Sequence, residues 1–540
     1  MKKTAFWSVW LAVCALAALS LWLHRGRPSP PRLAVIIVVD QLRSDYLTRF
    51  AELYQGGFKS LLENGANFTN SAYRHASTYT AAGHASVSTG LHPASHGMIN
   101  NSWYDPTKDA IVNCISDDAY VAVGGPGRAA SPRPLLADTI GDLLKKKHGG
   151  SKVYSISSKD RAALMLAGRG ADGAFWYSPD CGCFVTSSYY ENGLPRWLAA
   201  FNATQPTSAY AGKSWQRLLD DQSIYEKLAR ADIFPTEANG KASAFPHVLP
   251  TENVESKLSP TPYADELTLN AALAAINSGE LGSDGEPDLL AIGFSGTDYI
   301  GHSYGPHSQE AMDQNLRLDR HLATLLDAID NRVGLDHTVV ALTADHGVLP
   351  LVEHLKNSGV NAHRLDPKEF WQRATDALTQ QFPEVTRLVA AARDDHLYWH
   401  LPAFQDGSVK RVDAEEFLVE WLRKQPFVAE VFTSSDLSTT AADAPEITKL
   451  FANSYFERRS PHVIVRFNEY VYPGNPVGTS HGTVYRYDRQ VPVLLFGAGI
   501  RPGTYDKPTG PEDIAPTLAK IFGVRILTEP DTRVLSEALR

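Results

Sequence analysis

The stretch Leu33-Ala-Val-Ile-Ile-Val-Val39, followed directly by Asp40, decides the fold class of this 540-residue chain. Seven consecutive apolar residues predict a strand buried on both faces, as strands of a parallel sheet are. A carboxylate at the end of such a strand loses its hydration unless a hydrogen bond or a cation compensates. Asp40 therefore marks either the cap of a turn or a metal ligand.

Further apolar runs alternate with helical patterns along the chain. Leu135 to Lys147 has helical spacing, and Ser308 begins a longer helix. This alternation predicts an α/β fold, a doubly wound and mostly parallel sheet with helices on both faces. The predicted strands lie at residues 153–156, 289–294, 339–342, 462–467 and 491–496.

Two segments, near residues 177–287 and 351–472, interrupt the alternation of strands and helices. We interpret both as cap-like insertions over the carboxyl ends of the strands, within a single domain that covers residues 33–540. The second segment contains Asp394-Asp395-His396, which we place in a helical context and to which we assign no role.

The first residues have the pattern of a targeting segment. Lys2 and Lys3 precede an uncharged apolar run from Ala5 to Leu23, which predicts a signal peptide over residues 1–27, followed by a Pro-rich linker over residues 28–32. The run is also nearly long enough to span a bilayer, so an uncleaved anchor in the inner membrane is the alternative. Either interpretation predicts a periplasmic or secreted protein.

Composition limits the classes of partner. The chain has 51 Lys and Arg against 60 Asp and Glu, a formal net charge of −9, which argues against a nucleic-acid scaffold. Beyond the leader lie Cys114, Cys181 and Cys183. In an oxidising compartment one disulfide is compatible with this set, and a zinc site at Cys181-Gly-Cys183 has weaker support.

Acidic and imidazole residues follow the predicted strands. Asp298 and His302 come after the run at 289–294, Asp345 and His346 come after the run at 339–342, and His481 lies in Ser480-His-Gly482. Because ligands collect at the carboxyl ends of parallel strands, we expect these side chains to meet Asp40. Three Asp and three His suffice to hold two zinc ions.

A hydroxyl completes the set. Thr80 precedes the small residues of Thr80-Ala-Ala-Gly-His84, where the chain turns into a helix. A hydroxyl on a metal loses its proton readily and becomes a nucleophile, whereas a lone Thr in this position is ordinarily a helix cap. We expect His75 and His84 to pack or to form hydrogen bonds rather than to bind metal.

In sequence order these clusters resemble the alkaline phosphatase superfamily, and in particular its bacterial PafA/PhoK-type phosphomonoesterases, which use a Thr nucleophile. The resemblance runs from Leu33 to about Gly523. The motifs that carry it are Val39-Asp40-Gln41, Thr80-x2-Gly-His84, Asn101-Ser-Trp-Tyr-Asp105, Ser158-Lys-Asp-Arg161, Asp298-x3-His302, Asp345-His346-Gly347 and Ser480-His481-Gly482.

The resemblance implies a role for each residue. Thr80, favoured over Thr78 by its two-residue gap to Gly83, would be the nucleophile and form a phosphothreonine. One zinc would be held by Asp40, Thr80, Asp345 and His346, and a second by Asp298, His302 and His481. The phosphoryl oxygens would be bound by Asn101, Lys159 and Arg161.

This resemblance implies an exported alkaline phosphatase with two Zn2+ per chain that acts on small phosphate monoesters, and a monomer is favoured. The alternative is a nucleotide pyrophosphatase/phosphodiesterase of the same superfamily. A diester has one charged oxygen fewer for the two cations Lys159 and Arg161, which favours the monoesterase. A more distant alternative is a non-catalytic exported metal-binding protein.

Overall fold

The computed structural model describes residues 31–240, 244–441 and 443–540, so the predicted leader (1–27) and most of the linker lie outside the described residues. Its centre is a ten-stranded sheet. The strands of this sheet are β1 (Leu33–Val39), β2 (Ala66–Phe68), β5 (Ala122–Val123), β6 (Val153–Ser157), β7 (Gly173–Ser178), β8 (Cys183–Ser187), β11 (Asp288–Phe294), β12 (Thr338–Thr343), β19 (Val493–Gly497) and β20 (Gly503–Tyr505).

The sheet is parallel at its centre and mixed at its edges. Its order is β20-β2-β19-β12-β1-β11-β6-β7-β8-β5. The five strands from β12 to β7 run parallel, whereas β19 and β8 pair antiparallel with their central neighbours. The predicted α/β class is confirmed, and the parallel strands are those whose carboxyl ends the sequence marks with acids and imidazoles.

Alternate residues of β1 belong to different hydrophobic cores, because successive side chains of a strand point to opposite faces. Val35 and Ile37 pack with the helices Tyr263–Asn277 and Gln309–Arg332, and Ile36 packs with the helix Ile514–Phe522 on the other face. Helices therefore cover both faces, as the sequence predicts, and β1 is completely buried.

The described α-helices vary from one turn to almost seven. Ser308 caps the longest, where its side chain accepts a hydrogen bond from the Ala311 N–H. The helices are Tyr46–Arg49, Gly57–Asn64, Thr80–Thr89, Pro93–His96, Ile140–Lys147, Asp160–Ala167, Arg196–Ala203, Gln222–Leu228, Tyr263–Asn277, Gly296–Tyr304, Gln309–Arg332, Val352–Asn357, Pro367–Gln381, Arg411–Arg423, Ser434–Ser438, Glu446–Ala452, Arg486–Arg489 and Ile514–Phe522.

A second, four-stranded sheet lies within the chain segment after β12, in the order β14-β15-β17-β16. Its side chains form a separate hydrophobic core with the helices Pro367–Gln381 and Arg411–Arg423. The run at 462–467 is a strand as predicted, but it belongs to this sheet and not to the central one. The strands are β14 (Val389–Arg393), β15 (His396–Trp399), β16 (Val428–Thr433) and β17 (Val463–Phe467).

The helical interpretation of Asp394-Asp395-His396 is wrong. Arg393 pairs with His396 across a hairpin, so Asp394 and Asp395 form the turn between β14 and β15. Asp394 has a φ of 48°, which an Asp tolerates better than most residues. The remaining described strands form three two-stranded sheets: β3 (Ser102–Asp105) with β4 (Ala110–Asn113), β9 (Ser214–Trp215) with β10 (His247–Val248), and β13 (His363–Leu365) with β18 (Val471–Pro473).

The three cysteines among the described residues form one disulfide and leave one free thiol. Cys181 and Cys183 are joined, and Cys114 is a buried free cysteine whose pKa burial raises to about 12. The disulfide excludes the alternative of a zinc site at Cys181-Gly-Cys183. Among the described residues, no helix combines the length and the apolar character needed to cross a bilayer.

Candidate active site

Three neighbouring strands deliver the acids and most of the imidazoles to one place. β1 lies between β11 and β12, and Asp40 follows β1 directly. The helix Gly296–Tyr304, which follows β11, carries Asp298 and His302 one turn apart. Asp345 and His346 are the second and third residues after β12. The carboxyl ends of the central parallel strands thus form the floor of the site.

Two further segments complete the site. Thr80 is the first residue of the helix Thr80–Thr89, and His481 lies in the loop between β18 and the helix Arg486–Arg489. The Nδ1 atom of His481 lies 2.6 Å from the carbonyl oxygen of Thr78. Thr80 and His481 line a cavity of about 1050 Å3, together with Asp298 and His302.

We call Asp298, His302 and His481 the outer group. Their donor atoms all lie within 4.8 Å of one another. The Oδ1 atom of Asp298 lies 3.1 Å from Nε2 of His302 and 3.8 Å from Nε2 of His481. This is the set that the sequence assigns to a single zinc.

We call Asp40, Asp345 and His346 the inner group. The Nε2 atom of His346 lies 3.5 Å from Oδ1 of Asp40 and 3.3 Å from Oδ2 of Asp345. A donor atom of Asp298 also lies within 4.8 Å of donor atoms of Asp40 and His346. Asp298 therefore stands between the two groups, a position that the sequence did not predict.

Backbone carbonyls orient all three imidazoles in the same way. Nδ1 of His302 lies 2.8 Å from the Thr479 carbonyl oxygen, and Nδ1 of His346 lies 2.9 Å from that of Gly347. His481 has the equivalent contact with Thr78. Since a carbonyl only accepts, each Nδ1 carries the hydrogen and each Nε2 presents a lone pair to the site.

Buried acceptors without donors show that the inner group fits a cation. Among the described residues, Oδ1 of Asp40, Oδ2 of Asp345 and Nε2 of His346 are buried and have no hydrogen-bond partner. Burial, and then repulsion from Asp298 and Asp345, raise the pKa of Asp40 well above its usual value. Imidazole and carboxylate ligands are those that Zn2+ prefers, so both groups suit a zinc ion.

Of the two predicted phosphoryl-binding cations, only Arg161 lines the cavity. The Lys159 ammonium is buried and forms ion pairs with Oδ2 of Asp40, at 2.6 Å, and with Oδ2 of Asp298. Lys159 thus bridges the inner and the outer group. Its positive charge offsets the negative charge of the carboxylates. The sequence predicts that Lys159 contacts a phosphoryl group, but in the structure its ammonium contacts the carboxylates and does not line the cavity.

Asn101 is fixed beside the start of the Thr80–Thr89 helix. Its Oδ1 atom accepts a hydrogen bond of 2.9 Å from the backbone N–H of Ala81. The amide nitrogen of Asn101 is therefore the group that remains for a ligand, and Asn101 lines the same cavity as Thr80. The arrangement places a hydroxyl, an amide donor and the Arg161 guanidinium around one space.

The expectation that His84 forms hydrogen bonds agrees with its contact, 2.9 Å from Nδ1 to the Thr80 carbonyl. Sequence reasoning missed two buried polar residues that hold the ligands. Gln41 contacts Asp298 and Asp345. Asp265 accepts a hydrogen bond from the N–H of Gly296, at the start of the helix that carries Asp298. A signal for Gln41 exists, since it directly follows Asp40, but nothing in the pattern marks Asp265.

A hydrolase with metal-ligand groups at the ends of parallel strands is the class that this fold and site define. Residues 34–456 match the family described as type I phosphodiesterase / nucleotide pyrophosphatase. The chain belongs to this family, which is part of the alkaline phosphatase superfamily.

Similar proteins include two bacterial alkaline phosphatases. PafA of Elizabethkingia meningoseptica is 32% identical over 517 residues, 92% of both chains. PhoV of Synechococcus elongatus is 32% identical over 518 residues, 94% of this chain and 93% of PhoV. The crystal structure of wild-type PafA superimposes with a TM-score of 0.89 at 31% identity, over 95% of this chain and 100% of that one.

Proposed function

We propose that this chain is an exported, zinc-dependent alkaline phosphatase that hydrolyses phosphate monoesters through a phosphothreonine intermediate. The observation that carries the proposal is that Thr80 lines the same cavity as the outer group, Asn101 and Arg161. Relatives named alkaline phosphatase, similar over more than nine-tenths of the chain, support the same reaction.

The chain's own residues account for binding and orientation of the substrate. The amide nitrogen of Asn101 and the guanidinium of Arg161 bind the phosphoryl oxygens through hydrogen bonds, of which the Arg bonds are charge-assisted. The Thr80 hydroxyl loses its proton and its oxygen attacks phosphorus, so that an O–P bond forms to Thr80, the bond to the leaving oxygen breaks, and the leaving alcohol takes up a proton. Water then attacks the same phosphorus and breaks the O–P bond to Thr80, which releases inorganic phosphate and regenerates the hydroxyl.

Zinc at the outer and inner groups would lower the pKa of the hydroxyl and of the water and stabilise the leaving oxygen. The outer group would use Asp298, His302 and His481, and the inner group Asp40, Asp345 and His346 with Thr80. Lys159 holds the carboxylates of both groups at a fixed separation. Its direct contact with a phosphoryl group stays a prediction.

Two observations support export and a small substrate. The Cys181–Cys183 disulfide is the kind of bond that persists in an oxidising compartment such as the periplasm. The cavity volume of about 1050 Å3 suits a small ester better than a macromolecule. A cleaved leader, a monomer and a domain that covers residues 33–540 belong to the same proposal, with a membrane anchor as the alternative.

A nucleotide pyrophosphatase/phosphodiesterase is the second candidate. The description of the matching family favours it, and so do the aromatic side chains of Phe467, Tyr472 and Tyr485 on the cavity wall, which could hold a second ester group. Arg161 favours the monoester, because a monoester presents more charge to a cation than a diester does.

Chelation followed by metal addition tests the proposal. The purified enzyme is stripped of metal, and the turnover of an aryl phosphate monoester and of the matching bis-aryl diester is measured as Zn2+ is added. We expect two zinc ions per chain and a higher kcat/KM for the monoester. Faster diester turnover would support the second candidate, and two bound metals without turnover of either ester would support a non-catalytic metal-binding protein.

A further inference from the structure

The turn after β1 contains an unusual backbone conformation. The N–H of Leu42 donates to the carbonyl of Val39, which closes a turn with Asp40 and Gln41 at its centre. Gln41 has a φ of 68°, a left-handed conformation that such a turn normally gives to Gly or Asn. Of the described residues other than Gly with positive φ, Gln41 is the one that is completely buried. A buried residue held in this conformation requires contacts that compensate for it.

Those contacts are with ligands of both groups. The backbone N–H of Gln41 donates to Oδ1 of Asp345 at 3.0 Å. Its side-chain nitrogen donates to Oδ1 of Asp298 at 2.8 Å, and because a carboxylate oxygen only accepts, the nitrogen of the amide is the atom that faces Asp298. Gln41 is also bonded covalently to Asp40. One residue thus donates hydrogen bonds to a carboxylate of the outer group, Asp298, and to a carboxylate of the inner group, Asp345.

The left-handed turn makes the double contact feasible. β1 lies between β11 and β12, so the chain that leaves β1 passes between Asp298, which follows β11, and Asp345, which follows β12. The positive φ directs the N–H of Gln41 toward one neighbour and its side chain toward the other. A residue with a shorter side chain would keep the first contact and lose the second.

Gly301, on the Gly296–Tyr304 helix, provides the space for the Gln41 side chain. A Cβ atom at residue 301 would lie 1.8 Å from Oε1 of Gln41 and 2.9 Å from its Cδ. The three nearest atoms to that Cβ all belong to Gln41. Any side chain at 301 would therefore displace the Gln41 amide, and with it the hydrogen bond to Asp298, one turn of helix away.

We propose that Gln41, seated against Gly301, is a positioning residue that couples the outer and the inner metal group by holding Asp298 and Asp345 at a fixed separation. This inference rests on the proposed function for the identity of the metal, but it concerns metal binding and not the ester. Loss of a residue that orients a ligand typically lowers metal affinity by roughly 10–100-fold.

Zinc titration of the metal-free protein, in competition with a chromogenic chelator, tests the proposal without any substrate. Gln41→Met keeps the volume and the backbone conformation but removes the amide donor, and Gly301→Ala displaces the amide without changing Gln41. We expect each variant to bind the weaker zinc roughly 10–100-fold less tightly than wild type. Gln41→Gly removes the amide and suits the left-handed turn, so it should fold at least as well and show the same loss.

A double variant separates the steric contact from a general disturbance of the helix. Since only Gln41 atoms obstruct a Cβ at 301, Gly301→Ala should add nothing to Gln41→Gly, and the double variant should bind zinc as Gln41→Gly does. Wild-type zinc affinity in Gln41→Met would overturn the positioning role. A multiplicative loss in the double variant would overturn the pairing of Gln41 with Gly301. Either result stands whether or not the enzyme prefers monoesters.

Discussion

The outer and inner groups present similar donor atoms, carboxylate oxygens and imidazole nitrogens, but they differ in burial and in the elements that carry them. The inner side chains of Asp40, Asp345 and His346 are completely buried, whereas the outer His302 side chain is 33% exposed on the cavity wall. The inner ligands follow two adjacent strands, and the outer ones come from a helix and a loop. A metal bound at the inner group would therefore be shielded by the core of the sheet, and a metal bound at the outer group would be open to the cavity and, in the proposed reaction, to the leaving group.

Thr80→Ala separates chemistry from metal binding at both groups and has the largest expected effect. We expect kcat for a monoester to fall about 10⁴-fold or more, as for other nucleophiles that act with a fixed machinery. Zinc content should stay at two per chain, because six Asp and His ligands remain. Thr78→Ala is the matched control, since its hydroxyl donates to the Thr483 carbonyl and not to a ligand. Retained activity in Thr80→Ala, or a loss of both zinc ions, would contradict the nucleophile assignment.

His481→Ala tests the outer group alone, and Asp298→Ala tests it together with the link to the inner group. Removing a ligand costs the stabilisation of the leaving oxygen, worth several kcal/mol, so activity should fall about 10³–10⁴-fold. Elemental analysis should find one zinc per chain after His481→Ala. Asp298→Ala should weaken the second zinc as well, because Asp298 stands between the groups. Two tightly bound zinc ions in both variants would mean that the ligand set is wrong.

Lys159 and Arg161 distinguish a bridge between the groups from a contact with substrate. With roughly 1.5–3 kcal/mol for each hydrogen bond to a charged group, the double change Lys159→Ala with Arg161→Ala should lower monoester kcat/KM about 10²–10⁴-fold. The single changes separate the two roles. Arg161→Ala should leave zinc affinity unchanged and lower diester turnover much less than monoester turnover, whereas Lys159→Ala should alter zinc affinity and lower the turnover of both esters. Equal losses on both esters in Arg161→Ala would favour the phosphodiesterase.

Asp265→Asn tests the helix that carries the outer group and should change activity less than tenfold. Burial raises the pKa of Asp265 from 3.8 to about 6. Between about pH 4 and pH 6 the folded state then binds more protons than the unfolded state, so the contribution to stability falls as pH rises, by on the order of 2–3 kcal/mol. In Asp265→Asn this slope should disappear from the free energy of unfolding. Asp284→Asn, an exposed change, is the control, and an unaltered slope in Asp265→Asn would contradict the assignment.

Much of this molecule could be predicted from sequence, for a physical reason. Strands buried on both faces, such as β1 and β11, read as continuous apolar runs, and acids at their ends are conspicuous. The helical prediction for Asp394-Asp395-His396 was wrong because the hairpin turn at this place lacks the Asn-Gly or Asp-Gly pair that usually indicates such turns. The antiparallel direction of β19 could not be read, since an apolar run carries no direction.

The residues that hold the metal ligands in place were harder to predict from the sequence. Gln41 acts through a left-handed φ, a conformation that Gly, Asn or Asp indicates in a sequence but Gln does not. Asp265 lies on the helix Tyr263–Asn277, about thirty residues before Gly296, and meets Gly296 only in the folded chain. Lys159 follows a strand as expected, but whether its ammonium turns to the cavity or to the carboxylates depends on distances that spacing does not encode.

The ligands span the chain from Asp40 to His481, with β1 paired to strands that lie more than two hundred residues later. A nascent chain emerging from the ribosome therefore cannot assemble the inner group before His346 has been synthesised, or the outer group before His481 has been synthesised. Strand pairing between distant parts of a chain forms slowly, because the entropy cost of closing long loops comes before the stabilising contacts form. The chain consequently stays inert toward cellular phosphate esters during synthesis, and activity begins only when the last third of the polypeptide has joined the first.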